Sequence, residues 1–115
     1  MNIIIKVKNL ELTEYLEKLI NQKIEKLEKF LNSPDQEVFV EVEKESNHHK
    51  KGDIYCAEII ISLTGKKLIA KAQEADLQKA IMQSREEMEI EIKRYKLKKI
   101  ELPRREAKKS RKEIF

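Results

Sequence analysis

Glycine occurs twice in 115 residues, at Gly52 and Gly65, which rules out a glycine-rich phosphate loop. Cysteine occurs once. Cys56 therefore has no intramolecular disulfide partner, which fits a reducing compartment. Its position inside an apolar, β-like run marks it as a small packing residue rather than a nucleophile. Tryptophan is absent and aromatics make up 5% of the chain, so Ile, Leu and Val must build the core. No apolar run approaches the ~20 residues that span a bilayer. Met1-Asn2-Ile3-Ile4-Ile5 also lacks the basic start and the apolar length of a signal peptide. The expected compartment is the cytosol, with no membrane partner. His48 and His49 sit in a polar stretch near Asp53 and Cys56, short of the three or four spaced ligands a zinc site wants. The glutamates fall on helix and strand exteriors without forming a matched acid/base pair. These gaps together read as a non-enzyme with no metal, no cofactor and no small-molecule substrate.

What the chain does have is charge, unevenly spread. Charged residues make up 40% and the net charge is +4. From Lys93 onward there are eleven Lys/Arg against three Glu, whereas residues before it hold fourteen against eighteen acids, so the two parts carry +8 and −4. A helix C-terminus is complemented by two or three cations. Eleven exceed that role, and like-charge blocks are often interaction tails. The expected partner is a polyanion whose phosphates the tail neutralises, with binding that weakens steeply in salt.

The length gives one domain plus an appendage. Ile3-Ile4-Ile5-Lys6-Val7 reads as a strand broken at Asn9. Thr13 is a good N-cap, with Glu14 and Glu17 in the first turn. Leu16, Ile20, Ile24, Leu27 and Leu31 then recur at helical spacing, with Leu19 and Phe30 beside them, predicting one helix that ends near Asn32-Ser33-Pro34-Asp35. Glu14/Lys18 and Glu25/Lys29 stand as (i, i+4) pairs on its solvated side. Val38, Val40 and Val42 alternate with Phe39, Glu41 and Glu43, the period of a half-buried strand. Ser46 to Asp53 reads as a hairpin loop. Ala57, Ile59, Ile61 and Leu63 then form the inner face of a second strand of this meander. After a tight turn at Gly65-Lys66, Leu68, Ala70 and Ala72 face inward, with Lys67, Ile69, Lys71 and Gln73 outside. Asp76 caps a last helix whose stripe is Leu77, Ala80, Ile81, Ser84, Met88, Ile92 and Tyr95.

The predicted order is β-α-β-β-β-α: an α+β, two-layer fold in which a four-stranded mixed sheet carries two helices on one face. Residues 1–99 form the domain and 100–115 a basic tail expected to lack fixed order, with Pro103 arguing against a continuous helix through it. The candidate phosphate-binding residues, which the resemblance given below makes RNA-binding, are Lys23, Lys26 and Lys29 on the first helix, Lys66 and Lys67 at the turn, and Lys79, Lys93, Arg94, Lys96, Lys98 and Lys99 on the second, followed by Arg104 and Arg105. Arg85 is a further cation on the second helix. Glu86, Glu87, Glu89 and Glu91 interrupt its positive surface.

Several stretches resemble one family. Leu10-Glu11-Leu12-Thr13-Glu14 and Lys23-Ile24-Glu25-Lys26-Leu27-Glu28-Lys29-Phe30 are similar to the strand exit and first helix of the hibernation-promoting factor and ribosome-associated inhibitor family. Ala72-Gln73-Glu74-Ala75-Asp76-Leu77-Gln78-Lys79-Ala80-Ile81 resembles its second-helix entry, and Lys93-Arg94-Tyr95-Lys96 the basic close of that helix. The similarity covers residues 1 to 99. It implies the same fold and a non-catalytic protein that binds the small ribosomal subunit near the decoding site, in the channel used by messenger and transfer RNA. Such proteins contact ribosomal RNA through basic residues on both helices and idle the ribosome in starvation or stationary phase. Position by position, Lys23, Lys26, Lys29, Lys93, Arg94 and Lys96 fall at or near basic family positions, whereas the family commonly has a basic residue near Glu87. Long members continue through a linker into a second domain that pairs two ribosomes. Residues 102–115 are expected to begin such a linker or to form a short tail reaching along the channel. Two further readings stay open at this point. One is a general RNA- or DNA-binding module. The other is a protein-interaction regulator of transcription working through the acidic body, since similar sequences are described as sigma-factor modulators.

Overall fold

The computed structural model describes residues 1–46 and 52–114, with side chains described over 1–45 and 52–97. The elements in order are β1 (Asn2–Lys8), α1 (Glu14–Ile24), a 3-10 helix (Glu25–Phe30), β2 (Glu37–Ser46), β3 (Asp53–Leu63), β4 (Lys66–Glu74) and α2 (Leu77–Ile114). The four strands lie in the order β1-β2-β3-β4, with β1 parallel to β2 and the other two pairings antiparallel. This is the predicted mixed sheet, with both helices packed on one of its faces.

Local chemistry sets the boundaries. Asn9 ends β1 with φ of 58°, a left-handed conformation that asparagine tolerates better than branched residues. The hydroxyl of Thr13 accepts from the Leu16 amide at 3.1 Å and caps α1, as its position predicted. The Asp76 carboxylate accepts from the Gln78 amide at 2.9 Å and does the same for α2. Gly65 turns β3 into β4 with φ of +78°, where a side chain would be strained. The predicted hairpin loop is shorter than expected because β2 and β3 pair as far as Ser46 and Asp53. His48, His49 and the rest of 47–51 lie outside the described residues.

The core lies between the layers. Val38, Val40, Val42, Ala57, Ile59, Ile61, Leu68 and Ala70 point from the sheet toward Leu16, Ile20, Ile24 and Leu27 on one side and Ala80, Ile81, Met88 and Ile92 on the other. Ser84, in the middle of the α2 stripe, is buried but donates to the Ile81 carbonyl at 2.8 Å, so its burial leaves no unsatisfied hydroxyl.

Three expectations are corrected. The first helix is not α-helical to its end, since its last six residues, Glu25–Phe30, tighten into 3-10 turns. Ile24, Leu27 and Phe30 are three apart, and three residues per turn stack them along one edge against the core. In addition, α2 runs through Pro103 to Ile114, where the sequence argued for a break. A proline removes one hydrogen bond and kinks a helix, but the chain can continue beyond it. The Cys56 side chain is also not in the core: it alternates away from Ala57 and lies half-buried on the uncovered face, opposite Glu43 and Gln73.

Candidate nucleic-acid interface

The 3-10 turns sort their side chains by threes. Ile24, Leu27 and Phe30 form an inner edge, Glu25 and Glu28 a second edge, and Lys26 and Lys29, continuing from Lys23, a third. The predicted Glu25/Lys29 pair does not form, because residues four apart no longer share a face in a three-residue repeat. Glu14 and Lys18 form no ion pair either, in keeping with the weak attraction of exposed charges.

Released from Glu25, the Lys29 ammonium lies over the Phe30 ring, 5.2 Å from its centroid. The Lys93 ammonium, arriving from α2, sits at the same 5.2 Å. Two cations from separate helices thus converge on one ring, held by attraction to its π face. Lys96, one turn beyond Lys93, is half-buried beside a concavity of about 450 Å³ that Phe30 also lines. Tyr95 fixes this part of α2 by donating to the Thr64 carbonyl at 2.7 Å, which ties the helix to the β3–β4 turn. At the other end of the helix layer, the Gln78 amide donates to the Tyr15 hydroxyl at 3.0 Å.

The ion pairs show which cations are already committed. Among the described residues, pairs join Lys8 to Glu43, Lys44 to Asp53, Lys71 to Glu58, Arg85 to Glu89 and Arg94 to Glu91. Lys23, Lys26, Lys29, Lys66, Lys67, Lys79, Lys93 and Lys96 form none among those residues. Of the candidate RNA-binding cations whose side chains are described, Arg94 is the one in an ion pair, 3.3 Å from Glu91; Arg85, the further cation of this helix, is paired with Glu89. Arg94 is also rotated by about 100° from Lys93, onto the flank where Gln83 reaches Glu74 of β4.

The other candidates are spread out. Lys79 is exposed near the start of α2, fourteen residues and so about 21 Å of helix from Lys93. Lys66 shares the inward parity of Leu68 but lies exposed at the strand end. Lys67 has the opposite parity and lines a concavity with Ile4 and Phe39 on the uncovered face of the sheet, away from both helices. The side chains of Lys98, Lys99, Arg104 and Arg105 lie outside the described residues.

The acidic interruption of α2 is narrower than its sequence suggests. Glu89 pairs with Arg85 and Glu91 with Arg94, which leaves Glu86 and Glu87 as the exposed acids of this stretch without ion pairs among the described residues. By helical spacing Glu86 lies on the crest with Lys79, while Glu87 falls to the β4 flank. The Arg85 Nε is buried with no hydrogen-bond partner among the described residues. Sequence reasoning missed Phe30 as the ring on which the two lysines converge and missed the concavity beside it. A faint signal was the phenylalanine following the last lysine of the row, in a chain with three phenylalanines.

The chain is thus a small α+β domain with one covered sheet face, and where its two helices meet it gathers lysines that form no ion pair among the described residues. The chain belongs to the family described as Sigma 54 modulation protein / S30EA ribosomal protein, whose model matches residues 3–100. This is the family that the resemblance in the sequence indicated. Among solved structures, the chain is similar to the N-terminal domain of Protein Y from Thermus thermophilus, with 26% identity, a TM-score of 0.64, and coverage of 83% of this chain and 99% of that one. A ribosomal subunit interface protein from Coxiella burnetii shares the fold at 14% identity and a TM-score of 0.66, with 84% and 98% covered. Among curated proteins, none matches.

Proposed function

We propose that this chain is a ribosome hibernation factor that binds the small ribosomal subunit through ribosomal RNA near the decoding channel and inhibits translation under stress or in stationary phase. It acts in the cytoplasm by occupying space, without catalysis. Residues 1–99 are the binding domain and residues 100–115 extend its basic surface. The observation that carries this reading is the convergence of Lys29 and Lys93, neither in an ion pair among the described residues, on Phe30. Cations already bound to carboxylates must break those pairs before meeting a phosphate, whereas these must only leave a ring face. Membership of a family described in part as ribosomal supports the choice of polyanion.

The test is cosedimentation with purified small subunits at moderate salt, together with inhibition of a translation extract. Absence of both would sink the proposal. Equal affinity for arbitrary nucleic acids would reduce it to a general binding module. Association that survives high salt would point to a protein partner, because phosphate-driven binding weakens with log salt in proportion to the phosphates neutralised.

A further inference from the structure

We infer that the concavity beside Phe30 is a nucleotide subsite that takes one unpaired base of an RNA chain, with the adjoining phosphate held between Lys29 and Lys93. This rests on the RNA-binding reading above and adds to it a site with a shape. The volume, about 450 Å³, lies within the range of small-ligand pockets, about 300 to 1,000 Å³. Phe30, Leu63 and Ile92 supply apolar wall and Tyr95 a second aromatic ring, surfaces suited to the faces of a planar heterocycle.

The rim supplies the polar half. Asn32 and Gln36 each bring a carboxamide, and that of Asn32 offers a donor and an acceptor side by side, as the edge of a base does. The Gln36 amide nitrogen already donates to the carbonyls of Ser62 and Glu37, both at 3.1 Å, which leaves its oxygen as the acceptor it can offer. Asn32 is exposed and its side chain has no hydrogen bond among the described residues.

The combination excludes simpler ligands. A bare phosphate has no use for apolar walls, and an apolar peptide has none for two ammoniums over the ring of Phe30, itself part of the wall, with Lys96 beside it. A duplex cannot enter, since its base faces are stacked on one another, whereas a bulged or splayed nucleotide presents both faces and an edge. Lys29 and Lys93 rest on the ring in the free protein, so on binding they exchange a π face for a phosphate without breaking a salt bridge. A free nucleotide carries the same chemistry as an unpaired base in a chain. An RNA chain is the better fit, because the lysine row from Lys23 to Lys29 leads away from Phe30 and offers the neighbouring phosphates a track.

The experiment uses the full chain and a short RNA duplex with one bulged 2-aminopurine, compared with the fully paired duplex and with AMP. Fluorescence anisotropy reads affinity and the 2-aminopurine signal reads stacking. The expected result is about tenfold tighter binding of the bulged RNA, with quenching of its fluorophore, and AMP at least a hundredfold weaker. Asn32→Trp, at an exposed position where the fold tolerates a larger side chain, should fill the mouth and bring the ratio of the two RNAs to about one. Equal affinity of the wild type for bulged and paired RNA would overturn the subsite while leaving the RNA-binding reading intact. AMP binding as tightly as the bulged RNA would overturn the assignment to a chain, and an unchanged ratio in Asn32→Trp would overturn the location. Failure of both duplexes to bind would remove the subsite together with the reading beneath it.

Discussion

The two faces of the sheet handle the same residue types in opposite ways. On the uncovered face, Lys8 and Lys71 are bound across strands to Glu43 and Glu58, at 3.8 and 3.4 Å. Beside them Ile4, Phe39, Ile60 and Ile69 form a continuous row across all four strands. On the helix side, the lysines of the 3-10 segment and of α2 form no ion pairs among the described residues, and the aliphatic stripes that the helices turn toward the sheet are buried. A lysine opposite a glutamate in a sheet register is held to its partner by the ladder. A lysine on a three-residue repeat, with its acids on another edge, is left available.

The strongest way to break this comparison is through the core that holds the helices down. Ile92→Ala should destabilise the fold by about 3 kcal/mol, since the emptied volume cannot fully collapse. Ile69→Ala, on the half-exposed row of the other face, should cost less than about 1 kcal/mol. Denaturant unfolding measures both, and similar losses would mean that the uncovered face contributes as much packing as the helix side. Charge reversal comes next. Lys29→Glu, Lys93→Glu and Lys96→Glu together should weaken small-subunit or RNA binding by about a hundredfold and flatten its salt dependence by about two to three in slope. Reversing Lys8 and Lys71 should change affinity by about twofold at most. Equal losses from the two sets, measured by cosedimentation over a salt series, would erase the distinction between the faces.

Smaller effects sharpen it. Thr13→Ala removes a hydroxyl that satisfies the Leu16 amide and should cost about 1 kcal/mol in thermal or chemical unfolding. The smallest effect concerns Cys56. Burial raises the pKa of its thiol above the ordinary value, and the carboxylates of Glu45 and Glu43 raise it further, against a lowering hydrogen bond from Gln73. Because the neutral form is favoured, iodoacetamide should alkylate Cys56 more slowly at pH 8 than it does a free thiol. Glu43→Gln with Glu45→Gln lowers the pKa, enlarges the thiolate fraction at that pH and should speed the reaction. A rate that does not respond would mean that the acids of the uncovered face do not act on the thiol.

Much of this fold was legible because two periods were clean. The Val38-Val40-Val42 and Ala57-Ile59-Ile61 alternations and the α2 stripe point to the core as observed, and Thr13 and Asp76 cap the helices they precede. Ile24, Leu27, Phe30 and Leu31 were ambiguous, since a gap of three residues suits both an α-helix and a 3-10 helix, and packing decides between them. At the site, the cations were visible as residue types, but their commitments were not. That Arg94 is paired and Lys93 is not depends on which flank of the helix each occupies. Lys67 shows a different lapse: strand alternation already put it outside, on the face opposite the helices, and only its charge grouped it with the lysines of the other layer. The concavity had no linear signal, because Phe30, Leu63 and Tyr95 lie on three separate elements that only the tertiary fold brings together.

The 3-10 segment carries one more consequence. Its three edges, apolar, acidic and basic, work like the positions of a triplet code, in which meaning depends on the frame. A substitution alters one letter, but deletion or insertion of one residue between Glu25 and Phe30 shifts every later letter to the next edge. An acid, after a deletion, or a lysine, after an insertion, would then meet the core, and the phenylalanine would turn away from it. Loss of three residues would shorten the row by a turn and keep the frame. This stretch should therefore tolerate changes of length in threes far better than changes by one.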